Sequence, residues 1–134
     1  MPANPEGKII KKIVFDSSAV LTFLFKEKGF QKLESHIDNM CISTVNFSEV
    51  ITVFKRSSLP TENLLLEYFN LENFTKEDSL YSGEIYMKCQ SLGLSLGDRA
   101  CLALGKRLNT KILTADKAWS KLSKKINLDI EVIR

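Results

Sequence analysis

Short segments rich in β-branched residues alternate with amphipathic segments, and this alternation constrains the fold more than any other feature. Apolar and β-branched residues from 8 to 15 end at Asp16, after which apolar side chains recur at helical spacing through Phe25. A helix over 46–56 follows the strand over 40–43, with Asn46 as its predicted N-cap. The remaining predictions are strands over 111–114 and 128–133, an extended piece around Phe74, and helices over 27–38, 61–69, 78–92, 97–108 and around Trp119.

Strands that are connected through helices pair in parallel, because right-handed crossovers place helices on both faces of the sheet. We therefore predict an α/β chain with a three-layer α/β/α fold and a central, mostly parallel sheet of about five strands. A length of 134 residues suits one domain. We expect residues 1–8 to form a short flexible leader and residues 9–134 to form the single domain.

Several functional classes are excluded by composition. The longest apolar stretch, residues 19–25, is far shorter than the ~20 residues of a membrane-spanning helix, and no secretory signal is recognised, so we expect a cytoplasmic protein without a membrane partner. Cys41, Cys89 and Cys101 are widely spaced and His36 is the single histidine, which argues against disulfides, zinc sites and histidine-dependent nucleophiles.

Charge is distributed unevenly along the chain. Residues 33–98 contain four basic and ten acidic side chains, whereas residues 99–134 contain nine basic and three acidic ones. A basic surface near the C-terminal third is typical of proteins that meet a polyanion such as nucleic acid, although solvated helix faces give the same count.

Four carboxylates follow predicted strands. Asp16 follows the first strand, Glu49 is placed in the first turn of the next helix, Asp98 in the first turn of the helix over 97–108, and Asp116 after the strand over 111–114. Each has a structural interpretation as a helix cap or a surface acid, and Asp98 fits a capping box with Ser95. Because the carboxyl ends of parallel strands share one edge, however, all four acids map to the place where such sheets bind ligands.

Converging carboxylates repel one another and require a cation. An all-oxygen site suits a hard divalent ion, and Mg2+ or Mn2+ is the natural occupant. Such an ion polarises a phosphoryl oxygen and lowers the pKa of bound water, so the residues favour metal-dependent phosphodiester cleavage.

The segments around the four acids resemble those of PIN-domain ribonucleases, and among them the VapC-type toxins of bacterial toxin-antitoxin pairs. The matching segments are IVFDSSAVLTFLF, ISTVNFSEV, GLSLGDRACLALG and ILTADKAW. The resemblance implies a PIN-like sheet, an Mg2+ or Mn2+ cofactor, and cleavage of RNA, often tRNA or rRNA. It also implies a VapB-type antitoxin and a homodimer, and it assigns the family's metal-binding acids to Asp16, Glu49, Asp98 and Asp116.

In the resulting hypothesis Asp16 and Asp98 bind the principal ion, Asp116 binds it directly or through water, and Glu49 positions or deprotonates the attacking water. Ser17 and Thr114 are candidates for the hydroxyls that orient these carboxylates. The candidate RNA-binding residues are Arg99, Lys117 and Lys121. A structural ion pair is the alternative for Arg99, and ordinary solvation is the alternative for the lysines.

Rival functions lack part of their usual pattern. A receiver-type signalling domain normally has adjacent acids after its first strand, whereas Asp16 is flanked by Phe15 and Ser17. A haloacid-dehalogenase-like phosphatase requires Asp-x-Asp, and residue 18 is Ser. A noncatalytic RNA-binding or interaction module stays open if the acids only cap helices.

Overall fold

The computed structural model describes residues 11–65 and 69–134, and within them a single parallel sheet organises the chain. Its strands lie in the order β3-β2-β1-β4-β5 and every neighbouring pair is parallel. The strands are β1 (Ile13–Phe15), β2 (Met40–Ser43), β3 (Asn70–Glu72), β4 (Ile112–Thr114) and β5 (Ile130–Val132). The predicted five-stranded parallel sheet is confirmed, while the predicted leader over 1–8 lies outside the described residues.

Helices cover both faces of this sheet. They are α1 (Ser17–Leu24), α2 (Gln31–Glu34), α3 (Thr44–Arg56), α4 (Lys76–Lys88), α5 (Leu96–Leu108) and α6 (Leu122–Ile126). Short 3-10 helices form at Ile37–Asn39, Glu62–Leu65, Gln90–Leu92 and Lys117–Lys121.

The two faces of the sheet have separate cores because successive residues of a strand point to opposite sides. In the central strand β1, Phe15 packs in one core with Val20 of α1 and Val50 of α3. Its neighbour Val14 packs in the other core with side chains of α4 and α5, among them Ile85 and Leu102. The prediction of three layers is therefore confirmed, and the C-terminal end of β1 lies between helices of both layers.

Three predicted helices differ from the structure. The helix predicted over 27–38 is replaced by α2 and a 3-10 turn, and Gly29 just before them has a left-handed backbone (φ 97°) that interrupts a helix. The helix predicted over 61–69 is a 3-10 helix at Glu62–Leu65 in its described part, and residues 66–68 of that prediction lie outside the described residues. The last helix is divided between the 3-10 helix at Lys117–Lys121 and α6.

Other boundaries move by a few residues. The extended piece predicted around Phe74 is β3, which ends at Glu72 and pairs with β2. The helix predicted over 78–92 begins at Lys76, because Thr75 forms a capping box with Asp78. It ends at Lys88, and Gly93 then supplies the left-handed turn that was predicted to stop it.

The prediction that Asn46 caps the helix after β2 is wrong. Ser43 is the N-cap, and its hydroxyl accepts a hydrogen bond from the Val45 amide at 3.2 Å. The helix starts directly where the strand ends, so Asn46 falls inside α3 and is buried. Glu49 consequently lies in the second turn of α3 and not in the first.

A partly buried ion pair joins the two helices on one face of the sheet. Arg107 of α5 donates from Nε to Asp78 Oδ1 at 2.9 Å, and Asp78 is almost fully buried at the start of α4. The pair orients α5, whose N-terminus contributes to the acidic edge, against α4. None of the helices in the described part of the chain combines the length and apolar character that a bilayer crossing requires.

Candidate functional site

Asp16 is the most enclosed of the four acids. It caps α1 at the end of β1 and is only 5% exposed. Its Oδ1 accepts hydrogen bonds from the Ala19 amide at 2.8 Å and the Ser18 hydroxyl at 2.6 Å. Its Oδ2 accepts from the Thr114 hydroxyl at 2.7 Å. Two strand ends, those of β1 and β4, thus fix the position of this carboxylate.

Burial raises the pKa of Asp16 from 3.8 to about 6. Hydrogen bonds from Ser18, Thr114 and the Ala19 amide oppose the rise, and the negative charge of Asp98 adds to it. A carboxylate that is buried beside another acid is electrostatically costly, so the ionised form of Asp16 is stabilised by any cation that reaches it.

Asp98 lies at the start of α5 and forms the predicted capping box. Its Oδ2 accepts from the Ser95 amide at 2.9 Å, while the Ser95 hydroxyl accepts from the Asp98 amide at 3.1 Å. Among the described residues Oδ1 of Asp98 accepts no hydrogen bond. Capping and cation binding are therefore compatible in this side chain, because one carboxylate oxygen is left for a ligand.

Asp116 reaches the same edge through Thr114. The Thr114 hydroxyl, which donates to Asp16, also accepts from the Asp116 amide at 3.0 Å. The exposed Asp116 carboxylate caps the next helical turn, with Oδ1 accepting from the Ala118 amide at 3.0 Å.

The hydroxyl of Ser18, and not that of Ser17, contacts Asp16. Ser18 donates to Asp16 Oδ1 and accepts from the Ala115 amide at 3.0 Å. The physical reason is the cap geometry, since an N-cap carboxylate folds over the second and third residues of its helix, and Ser17 is the first. Thr114 contacts Asp16 as the sequence hypothesis requires.

Glu49 extends from α3 toward the start of α5. Its Oε1 accepts a hydrogen bond from Asn46 Nδ2 at 2.9 Å. Its carboxylate lies so close to Gly97 that a Cβ atom at position 97 would overlap both of its oxygens. The absence of a side chain at Gly97 therefore admits the Glu49 carboxylate to the first turn of α5, the turn that carries Asp98.

Asn46 also contacts Glu49, although its place in the sequence indicates only a helix cap. The side chain is 1% exposed, and its Nδ2 donates to Glu49 Oε1 and to the Gly97 carbonyl, each at 2.9 Å. Its Oδ1 is buried and has no hydrogen-bond partner among the described residues. Leaving a buried acceptor unpaired costs roughly 1–3 kcal/mol, which offsets much of what the two Nδ2 hydrogen bonds contribute to stability.

The predicted RNA-binding residues have different surroundings. Arg99 is turned toward α4, where its NH1 donates to the Ser82 carbonyl and hydroxyl and its guanidinium lies 5.4 Å from the Tyr86 ring centroid. No ion pair involves Arg99 within the described residues. Lys117 and Lys121 are exposed on the turn that follows Asp116.

Trp119, on the same turn as these lysines, is buried in the core that also contains Val14. Its ring is therefore part of the interior and presents no free face on which a base could stack.

The donor chemistry of the edge suits a hard divalent cation, because every candidate ligand is an oxygen. Burial is the main cause that raises the pKa of the Cys101 thiol. The negative charges of Asp16, Asp98 and Glu49, together with Cys41, raise this pKa further. Within the described residues no three His, Cys, Asp or Glu side chains are gathered closely enough to hold an ion. The residues fit such an ion by chemistry, and binding it requires the carboxylates to move together.

The structure is a three-layer α/β/α domain whose parallel sheet has carboxylates near the C-terminal ends of its strands. Comparison with protein families matches residues 13–125 to the PIN domain. The chain therefore belongs to the PIN domain family, which confirms the resemblance seen in the sequence motifs. Comparison with curated proteins finds no significant match.

Solved structures with the same fold include toxin-antitoxin proteins. A toxin-antitoxin complex from Klebsiella pneumoniae is similar over 92% of this chain and 98% of that chain, with 18% identity and a TM-score of 0.73. DNA-bound VapBC from Salmonella typhimurium is similar over 93% and 100%, with 16% identity and a TM-score of 0.71.

VapC20 of Mycobacterium tuberculosis, described as a sarcin-ricin loop cleaving toxin, is similar over 83% of this chain and 95% of that chain, with 14% identity and a TM-score of 0.69. At these identities the likeness establishes a shared fold.

Proposed function

We propose that this protein is an Mg2+- or Mn2+-dependent endoribonuclease that hydrolyses RNA phosphodiester bonds as the toxin of a VapBC-type pair. The observation that carries the proposal is the enclosed Asp16 carboxylate. Burial and the neighbouring charge of Asp98 disfavour its ionised form, so a cation bound at this edge would stabilise it. Membership of the PIN domain family supports the nuclease activity. The fold shared with VapC20, a sarcin-ricin loop cleaving toxin, supports a structured RNA such as rRNA or tRNA as the substrate.

In this proposal each of the four acids has a separate role in hydrolysis. Asp16 and Asp98 would hold the ion, with Asp116 as a further ligand directly or through water. When bound, the ion supplies charge that polarises a phosphoryl oxygen and lowers the pKa of water. Glu49, which accepts from Asn46 and lies against Gly97, would orient the attacking water and accept its proton. Attack on phosphorus in line with the 3′ oxygen, which leaves and takes up a proton from solvent, would give 5′-phosphate and 3′-hydroxyl ends.

RNA is held next to these acids by positive charge. Lys117 and Lys121 are exposed directly after Asp116 and are suited to phosphate contacts. Arg99 contributes in the same way from the start of α5, although Ser82 and Tyr86 already contact its guanidinium. The lysines are therefore the stronger candidates for binding the backbone.

The proposed partners follow from the same family. We propose a cognate VapB-type antitoxin and a homodimer, acting in the cytoplasm, on the basis of the toxin-antitoxin complexes that share the fold. Leu80, Tyr86 and Met87 of α4 are large apolar side chains that are more than half exposed, as is typical of a surface that a partner covers.

The proposal is tested with purified protein, rRNA and tRNA in Mg2+ or Mn2+, followed by mapping of the RNA ends. We expect discrete cleavage by the parent chain and none by Asp98→Asn. The Asn variant is a matched control for folding, because its amide oxygen still accepts from the Ser95 amide in the capping box.

The noncatalytic alternative makes the opposite prediction. Asp16, Asp98 and Asp116 do cap helical turns, which is all that a binding module would require of them. If the parent protein cleaves no RNA in either metal, and Asp98→Asn changes only stability, the nuclease proposal is wrong.

Gly97→Ala tests whether the close approach of Glu49 matters. Alanine is the better helix former by about 0.8–1 kcal/mol, yet its Cβ would overlap the Glu49 carboxylate and displace it. We expect cleavage to fall at least about tenfold, the loss typical of disturbing a supporting contact in a metal site. The measurement is kcat/KM on a short RNA containing the mapped site.

Gly83→Ala is the matched control for this substitution. Gly83 also lies within a helix, α4, but a Cβ there meets nothing within 4 Å. We expect its activity to be unchanged and its free energy of unfolding to rise by about 0.5–1 kcal/mol. Equal activities for the two variants would show that the space at Gly97 has no catalytic role.

A further inference from the structure

The buried amide of Asn46 links two of the proposed site elements. Asn46 lies one helical turn before Glu49 on α3, and its Nδ2 bonds both the Glu49 carboxylate and the Gly97 carbonyl of α5. Gly97 directly precedes Asp98. One side chain therefore sets the position of Glu49 relative to the start of the helix that carries Asp98.

The orientation of this amide is determined by its partners. Both groups that contact Nδ2 are acceptors without a proton to give, a carboxylate and a backbone carbonyl. A flipped amide would bring its own oxygen against both of them, which is repulsive. The acceptor Oδ1 is consequently left without a partner among the described residues, although it is buried.

A residue that satisfies two acceptors and leaves its own acceptor unpaired is poorly explained by stability alone. Leucine or methionine would fill this interior space without an unpaired polar atom. The amide is explained if the position of the Glu49 carboxylate is what the contact provides. Residues that break a local stability rule in this way are concentrated at functional sites.

We propose that Asn46 is a positioning residue that holds the Glu49 carboxylate against the first turn of α5, which carries Asp98, for activation of water. This inference rests on the proposed nuclease function and deepens it, since Asn46 acts on the reaction only through Glu49. Its contribution is therefore to the catalytic step and not to RNA affinity.

The test is a double-mutant cycle with Asn46→Ala, Glu49→Gln and the combination, measured as kcat and KM on one RNA substrate. We expect Asn46→Ala to lower kcat by about 10–100-fold and to change KM less than about threefold. In the Glu49→Gln background the same change should lower kcat no further, because the group that Asn46 positions has already lost its function.

Asn70→Ala is the matched control. Asn70 also donates from its side-chain amide to a backbone carbonyl, that of Met40 at 2.7 Å, but it joins β3 to β2. Its loss removes a comparable hydrogen bond without touching the acids, and kcat should stay within about twofold of the parent value.

Each outcome decides the question. If the losses of kcat from the two single substitutions multiply in the double variant, the positioning role is wrong. The same follows if Asn46→Ala is fully active while Glu49→Gln is inactive. Either result leaves the nuclease function intact. A parent chain that cleaves nothing overturns both. If Asn46→Ala does not fold, Asn46→Ser replaces it in the cycle, and we expect a smaller loss because its one hydroxyl proton serves only one of the two acceptors.

Discussion

Asp16→Asn is expected to lower RNA cleavage by at least about a thousandfold, because a ligand of the ion contributes several kcal/mol to the catalytic step. The same substitution should leave the fold intact. Asparagine is as good an N-cap as aspartate, so its oxygen can still accept from the Ala19 amide and the Ser18 hydroxyl. The Thr114 hydroxyl can rotate to accept from the new amide group.

The stability of Asp16→Asn should exceed that of the parent at neutral pH without metal. The folded-state pKa of Asp16 is about 6, above its ordinary value of 3.8, so the folded protein binds this proton more tightly than the unfolded chain. The free energy of unfolding of the parent therefore falls as pH rises from 4 through 6, by about 3 kcal/mol from this group. Asp16→Asn has no carboxyl group at this position, so its free energy of unfolding does not fall with pH for this reason.

Chemical denaturation in EDTA at several pH values between 4 and 7 measures the difference. The gap between the two proteins should widen with rising pH and level off above 6. Asp38→Asn, which alters an exposed carboxylate, is the control and should match the parent in both cleavage and stability. If Asp16→Asn cleaves RNA as well as the parent does, Asp16 does not belong to the catalytic site.

Removal of divalent cations has the second large effect, since it should abolish cleavage altogether. Added Mg2+ or Mn2+ should restore the activity, because the candidate ligands are all carboxylates, which hard cations prefer. Binding should also stabilise the parent chain, by about 2.7 kcal/mol when the free ion is at a hundred times its dissociation constant.

Thermal unfolding at pH 7 with and without Mn2+ measures this stabilisation independently of RNA. Asp16→Asn serves as the control and should show little change in Tm upon addition of the ion. Cleavage that persists in EDTA, or equal stabilisation of both proteins, would contradict a metal site at Asp16.

Local patterns were sufficient for much of the architecture. The β-branched run before Asp16 and the apolar spacing after it predict a strand followed by a helix, and β1 and α1 lie there. The strand over 40–43 agrees with β2, and Ser95 and Asp98 form the predicted capping box. These features depend on residues close together in the chain, whose interactions are present whatever the rest of the fold does.

Other features depended on contacts between distant residues. Asn46 has the sequence character of a cap, but Ser43 already fills that role and α5 packs where the amide lies. The hydroxyl of Ser18 also accepts from the Ala115 amide, 97 residues away in the chain, a contact that exists only in the folded sheet.

By itself the order of residues determined the parallel α/β sheet, the family, and which acids follow its strands, because periodicity and caps are local properties. The folded chain alone decided that Asp16 is enclosed, that Gly97 leaves room for Glu49, and that Asn46 bridges α3 to α5. Burial and electrostatic coupling arise between side chains tens of residues apart, so they exist only once the helices have packed on the sheet.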